Sequence, residues 1–422
     1  MKKWIVLIVV FISTKSFSQV KINEELKTLI NQSFAFFPKI KEVENTTITA
    51  EENLKSVRLN KMPEIDAAAS YNYLMPKISF PIGGKDIQFA PVNNFSTTIG
   101  GSYMLFDFGR MKATIAKAKA AIAFTKHDVQ FAKQQLANQI TTIYYNIIYL
   151  QKAIAVKDSV INYLRENKNF VANKAKNGDM LELDVLNLQA YIDDEENKKL
   201  DLTTALEKQF NLLEYTTGGK NTTGQVFDFN IENTDATTSP NNAEIALSID
   251  KITQANKELE IVKLNHKPSV GIHAGTGFKN GFVPEVNDMR FNYLAGISLN
   301  IPIYNFGKNK QQIKIQESIV KQATLNQVTI ISNHKKDLEQ ANIDIKSNTA
   351  RIKNAKSQVD ACIMAQKITT SRFKNGVATY LDVEAAATNV QKALLSQLQC
   401  EYQLCLAKVE WARVIGFDYW DK

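Results

Sequence analysis

Two stretches of this chain, Met111 to Asn177 and Lys308 to Asn375, contain neither glycine nor proline. They are copies of each other. LFDFGR at 105–110 meets IYNFGK at 303–308, a shift of 198 residues, and AKNGDMLELDV at 175–185 meets FKNGVATYLDV at 373–383 at the same shift. No gap is needed between the two anchors. Each copy therefore reads as one uninterrupted helix of about 67 residues, roughly 100 Å long at a rise of about 1.5 Å per residue. A compact globular domain has no use for a helix that long. A duplicated rod of this kind spans distance.

The apolar pattern agrees. Ile140, Ile147, Ile154 and Ile161 fall seven apart in the first rod, and Leu338, Ile345, Ile352 and Val359 take the same places after the shift. A second row, Ile115, Ile122, Val129, Leu136, Ile143 and Leu150, runs along the first rod. A strict period of seven belongs to helices that supercoil on neighbours. Two rows fit neighbours on two sides, as in a ring; a two-partner coiled coil fits as well.

The N-terminus predicts export. Met1, Lys2 and Lys3 make a basic start, Trp4 to Ile12 an apolar run, and Ser16, Phe17 and Ser18 a cleavage site before Gln19. Residues 1–18 thus read as a secretory signal peptide, too short to span a membrane. No cysteine follows the cleavage site, which argues against a lipid anchor there. Nothing later approaches about 18 consecutive apolar residues, so no membrane-crossing helix is expected. The formal charge is +8, of which Lys2, Lys3 and Lys15 supply three, leaving a mild +5 on the mature chain. The charges are spread along helices with acids interspersed, and no nucleic-acid patch stands out. Cys362, Cys400 and Cys405 are an odd number in helical pattern and read as small buried residues rather than a disulfide framework.

Each repeat has one order: shorter helix, strand, loop, strand, long helix, tight turn, second shorter helix. The first repeat is expected over 19–215, with strands at about 64–75 and 95–106 and the long helix at about 110–177. The second is expected over 243–415, with strands at about 269–278 and 291–301 and the long helix at about 308–375. The shorter helices are expected at roughly 21–60, 182–215, 241–266 and 378–414. Residues 216–242, rich in Thr, Asn and Gly, read as a polar linker, and 416–422 as an aromatic tail that docks on something.

The strands alternate. Ile65, Ala67, Ala69, Tyr71 and Tyr73 interleave with Asp66, Ser70 and Asn72. Phe291, Tyr293, Ala295, Ile297, Leu299 and Ile301 interleave with Asn292, Gly296, Ser298 and Asn300. About ten residues is the length a tilted strand needs to cross a bilayer; a half-buried soluble sheet alternates in the same way. The joining segments 76–94 and 279–290 read as loops. Four strands cannot close a membrane barrel, and lipid tolerates no open sheet edge. Strands in a membrane would therefore require several copies. About eight strands leave an interior that side chains fill, whereas a larger ring leaves a duct, so the geometry leans to a trimer.

No enzyme signal emerges. His127, His266, His273 and His334 form no metal-binding motif, and no nucleophile elbow is present. Gly218, Gly219, Lys220 and Asn221 are similar to part of a phosphate-binding loop, but the first glycine is misplaced and Asn replaces Ser or Thr, so a helix stop and loop is the better reading. Asp193, Asp194, Glu195 and Glu196 lie among lysines and read as a solvated helix face. No metal and no cofactor is expected.

Taken together, the chain resembles the TolC family of outer-membrane efflux proteins. The junctions Phe108, Gly109, Arg110 and Phe306, Gly307, Lys308 carry the resemblance, with the two Asn-Gly turns, the LDV that follows each, and the duplication. The resemblance covers essentially the whole mature chain. It implies a mainly α fold with a membrane β-barrel part: a duplicated strand-strand-long helix repeat, three copies of which form a 12-strand barrel continued by a 12-helix α-barrel tunnel. It also implies an equatorial belt, here 216–242 with the tail. The implied location is the outer membrane of a Gram-negative bacterium, with the tunnel in the periplasm. The implied function is a passive exit duct, set in outer-membrane lipid and joined through a membrane-fusion adaptor to an inner-membrane pump of resistance-nodulation-division or ABC type. A non-conducting coiled-coil envelope protein is the alternative, although a stalk needs no amphipathic hairpins.

In that family the turn between long and short helix docks the adaptor and closes the tunnel. The corresponding residues are Asn177, Gly178, Asp179 and Asn375, Gly376, Val377. The family often has apolar residues on both sides of this glycine; Asn precedes it here in both copies. Asp184 and Asp382 stand where relatives place gate carboxylates, while Asn187 and Ala385 occupy the place of a second acid. Both acids also fit helix caps, with Asp179 and Glu182, and Thr379 and Asp382, spaced as capping boxes.

Overall fold

The computed structural model describes residues 20–83, 85–219, 222, 224–231 and 242–421. The expected signal peptide at 1–18, and within the linker Lys220, Asn221, Thr223 and residues 232–241, lie outside these. In chain order the elements are β1 (Val20–Lys21), α1 (Glu24–Phe36), α2 (Pro38–Leu59), β2 (Glu64–Tyr73), β3 (Ser79–Ile82), β4 (Lys85–Gln88), β5 (Asn93–Phe106), α3 (Arg110–Lys176), α4 (Glu182–Thr217), β6 (Asn230–Ile231), α5 (Ala243–Leu264), β7 (Ser269–Lys279), β8 (Arg290–Asn300), α6 (Lys308–Lys374) and α7 (Tyr380–Ile415). The fold is mainly helical. Both α3 and α6 are 67 residues long, and both α4 and α7 are 36. Without glycine or proline inside, nothing in α3 or α6 interrupts the backbone ladder. No described helix is long and apolar enough to cross a membrane.

Two local expectations need correction. The first shorter helix, read as one piece over 21–60, is two. Asn23 caps α1, its side chain accepting the Glu25 N–H at 2.9 Å. Phe37 then turns extended (φ −71°, ψ 119°). The cause is Pro38, whose ring disfavours a helical residue before it and suits the first position of α2. The segment 76–94, read as loop, contains a hairpin: β3 and β4 pair with Phe80 opposite Ile87 and Ser79 opposite Gln88.

The chain divides into two compact units. One comprises Val43–Asp128 and Glu244–Ile330; the other draws its described residues from Met1–Glu42, Val129–Ala243 and Ile331–Lys422.

In the first unit β2, β5, β7 and β8 form one antiparallel sheet in that order, leaving β2 and β8 as its edges. Ala67 faces Ile99, Ile99 faces Thr276 and Thr276 faces Tyr293 across the four strands. This register gathers Ile65, Tyr71, Phe95, Ile99, Ile272, Phe278, Tyr293 and Ile297 on one face. Tyr293 is 83% exposed and Ile297 76%, so none of the described residues covers that face. The opposite face carries Asp66, Ser70, Ser96, Thr98, Ser102, Asn292 and Ser298 with several glycines, and three apolar exceptions, Ala68, Met104 and Leu294. A bulge between Met104 and Phe106 shifts the register before the last pair of β5 with β7, Phe106 with Val270.

The second unit is helical and holds most of the large buried side chains, among them Trp411, Tyr144, Tyr145 and Tyr419. The tail packs into this core. Asp418 accepts from Gln134 at 2.8 Å and Gln130 at 2.5 Å, Tyr419 meets Thr141 at 2.9 Å, and the Trp420 ring meets Phe34 edge-on at 5.8 Å. Phe229, from the described part of the linker, packs edge-on against Tyr419 at 5.2 Å.

Candidate functional site

The strand-to-helix junctions are built on two consecutive residues with positive φ. Phe108 has φ 54° and Gly109 φ 92°; Phe306 has φ 53° and Gly307 φ 80°. The aspartate before the first pair stabilises the turn. Asp107 accepts the Gly109 N–H through Oδ1 at 3.0 Å and the Met111 N–H through Oδ2 at 2.5 Å, satisfying donors at the start of α3 that have no helical partner. Arg110 and Lys308 begin the long helices. The positive φ of the two phenylalanines was not legible in the sequence, since bulky residues rarely adopt it.

At the far end of each long helix the chain reverses in the same way. Asp179 N–H donates to the Lys174 carbonyl at 3.0 Å, and Val377 N–H to the Arg372 carbonyl at 2.9 Å. These six-to-one bonds, with Gly178 at φ 83° and Gly376 at φ 74°, form a left-handed helix stop in each copy. Asn177 and Asn375 are the exposed residues before each glycine. An added Cβ at either glycine would meet nothing within 4 Å, so it is the positive φ that requires glycine there.

The two turns share one cleft of about 600 Å³, whose lining includes Phe170, Asp184, Phe373, Gly376 and Leu381. Beneath it Phe170 and Phe373 pack edge-on at 5.5 Å. Hydroxyl and amide contacts link the repeats: Tyr163 with Thr370 at 2.8 Å, Tyr191 with Thr388 at 2.7 Å, and Asn187 donating to Tyr380 at 3.1 Å.

Asp382 is exposed and caps α7. Its Oδ2 accepts the Thr379 N–H and the Thr379 hydroxyl, each at 2.8 Å, while the Asp382 N–H returns to Thr379 Oγ1 at 3.2 Å. The Thr379 N–H, then its hydroxyl, hold the carboxyl below its ordinary pKa. The first copy departs from expectation. Asp179 does not cap α4 with Glu182; it pairs with Lys174 at 3.0 Å. The helix starts later, behind Leu181, whose N–H donates to Asp184 Oδ2 at 3.3 Å. Leucine has no side-chain acceptor, so this cap is one-sided.

A second correction concerns the acids of α4. Asp193, Asp194 and Glu196 are exposed, but Glu195 is 2% exposed. Its Oε2 receives Lys157 from α3 at 2.6 Å and Gln391 from α7 at 2.7 Å, and its Oε1 receives Lys198 at 2.9 Å. Burial alone pushes the carboxyl pKa up; the bonds from Lys157, Lys198 and Gln391 outweigh it, and the net direction is down. Local pattern does not reveal this, because Lys157 and Gln391 are far from Glu195 in the chain. Among the described residues no group of three or more metal-binding side chains assembles.

The architecture is that of an outer-membrane channel with paired long helices. Residues 29–219 and 239–416 match the outer membrane efflux protein family, and the chain belongs to it. It is 24% identical over 325 residues to the toxin and drug export protein A of Aggregatibacter actinomycetemcomitans, covering 73% of this chain and 69% of that protein. Its fold is similar to the outer membrane channel CmeC of Campylobacter jejuni (TM-score 0.80, 18% identity, 97% of this chain and 90% of that one). It is also similar to the outer membrane protein VceC of Vibrio cholerae (TM-score 0.77, 17% identity, 94% and 97%). The protein is thus an efflux channel of the outer membrane and not an enzyme.

Proposed function

We propose that three copies close one channel, β8 of each pairing with β2 of the next. The result is a 12-strand barrel in outer-membrane lipid, continued by a periplasmic tunnel of 12 helices. One observation carries this reading: the sheet has two unpaired edges and one predominantly apolar face. Lipid accepts the face and refuses the edges, because an unpaired backbone group in hydrocarbon costs several kcal/mol. The long helix α6 supports it, exposing Leu325, Val328, Ile343 and Ile368.

In this reading the turns at Asn177, Gly178, Asp179 and at Asn375, Gly376, Val377 dock a periplasmic membrane-fusion adaptor. Exposed Leu181, Leu183 and Leu381 beside them offer the apolar contacts. Asp184 and Asp382 face the tunnel mouth as gate carboxylates while capping their helices. The adaptor connects the duct to a resistance-nodulation-division or ABC pump, which chooses the cargo and supplies the energy. The name of the relative makes toxins and drugs the first cargo to test.

Light-scattering mass of the detergent-extracted protein, followed by single-channel recording, tests the assembly. A trimer with uniform conductance steps is expected. A stable membrane-inserted monomer would overturn it.

A further inference from the structure

We propose that α4 of one copy and the distal half of α6 of the next form the seam between copies, an antiparallel coiled coil whose partner is chosen by charge. The inference rests on the three-copy reading above. Exposed large apolar side chains are unevenly placed on the four main helices. Among the described residues α3 has none and α7 only Leu381. Those of α4 and α6 follow heptads. On α4 the exposed residues Leu183, Leu186, Ala190, Asn197 and Leu200 take the two core rows of a seven-residue repeat. On α6 the exposed residues Ile343, Ala350, Ala361, Met364 and Ile368 do the same. A ring of copies has two sides to cover on each chain, and these are two uncovered stripes.

The charges beside the stripes are opposite. In the positions flanking the core rows α4 holds Glu182, Asp194, Glu196 and Asp201 against Lys208. Between Ile343 and Asn375 the flanks of α6 hold four lysines and two arginines against two aspartates. Flanking charges of a coiled coil set partner choice and orientation. An α4 stripe set on another α4 puts acids on acids, and two α6 stripes put bases on bases. The pattern therefore disfavours a two-fold contact and favours a head-to-tail one, the kind that closes a ring.

The register fits as well. The turns at Gly178 and Gly376 share one cleft, so α4 leaves the end at which α6 arrives. Rotation about a channel axis along the helices keeps heights, and residues equally far from their turns come level in neighbouring copies. Arg351 lies 24 residues before Asn375, and Asp201 lies 22 after Asp179. Asp344 lies 31 before and Lys208 29 after; Lys374 lies 1 before and Glu182 3 after. In an antiparallel pair like flanks meet, and each of these three pairs sits on matching flanks with opposite charge. The sign is even inverted at Asp344 with Lys208. All six side chains are exposed, and none has an ion-pair partner among the described residues. Asp360 runs against the pattern, level with Glu196, whose charge Arg165 already holds at 2.5 Å.

Disulfide trapping tests the seam. In a background of Cys362→Ala and Cys400→Ala, a chain with Arg351→Cys is co-expressed with a chain carrying Asp201→Cys. Oxidation should give a reducible band of two linked chains, and either chain alone should give none. Charge exchange reads the same contact without a cross-link. Arg351→Asp and Asp201→Arg should each lower the temperature at which detergent-extracted trimers dissociate by about 2 °C or more, and the two together should restore it. A double variant that loses the sum of the single losses overturns the pairing. Native trimers that never link 351 to 201 overturn the seam, leave the three-copy reading standing and free both stripes for another partner such as the adaptor. A native protein that stays monomeric overturns the seam and the three-copy reading together.

Discussion

The Lys157 ammonium lies 2.6 Å from the Glu195 carboxylate, both side chains sealed from solvent, and Gln391 reaches the same oxygen from a third helix. A buried charge that loses its partner is left uncompensated. Glu195→Ala, which strands Lys157, should destabilise the helical unit by about 3–5 kcal/mol, read from urea or thermal unfolding; Lys157→Ala should cost less, because Glu195 keeps Lys198. Lys157→Met with Glu195→Leu removes both charges at similar volume and should recover most of that loss. Equal stability of the single and double variants would contradict a buried pair.

The same site predicts an acid limb of stability. Because the folded pKa of Glu195 is lowered, its contribution is complete above the ordinary glutamate value of about 4.3 and is lost as pH falls through the folded value. Midpoint temperatures of the native protein should therefore drop on acidification below about pH 4.3, and Glu195→Gln should flatten that limb. Parallel curves would place the acid sensitivity elsewhere.

Glycine substitutions separate strain from crowding. Gly178, Gly307 and Gly376 have positive φ and open space where a Cβ would go. Alanine at each should cost about 1–2 kcal/mol, the penalty of a left-handed residue. Gly416, at φ 73°, would set its Cβ 2.8 Å from the Asn242 Cα, so Gly416→Ala should cost clearly more. Thermal midpoints of the four variants, measured side by side, check the ranking.

Asp382 can be dissected in the same spirit. Asn keeps an acceptor for Thr379 and removes the charge, whereas Ala removes both. Asp382→Ala should lower stability and cation preference; Asp382→Asn should lower only cation preference. A selectivity unchanged in both variants would reduce Asp382 to a cap.

Much of this was legible in the residues. Where glycine and proline are absent over the whole span of α3 and α6, the sequence leaves helix as the simple outcome, and the Asn-Gly turns mark where it stops. Alternation in β2 and β8 was equally plain. The β3–β4 hairpin was not, because its strands are four residues each, and Pro81, Gly83 and the prolines around them read as loop. Pro38 does not stand out as a break because the helical pattern resumes at once after it. The ion pair of Glu195 was hidden among exposed acids, since helix packing rather than local pattern selects which carboxylate turns inward. The start of α4 is not legible in residue type, because Asp179, a good cap by type, is held by Lys174 outside the helix.

In the proposed assembly the unpaired edges of β2 and β8 reach beyond the single chain. A barrel closed by several copies fails if any one seam fails. A cell making both an intact chain and one unable to pair along β8 would therefore lose more channels than it has faulty copies, and the damaged allele would behave as dominant over the sound one.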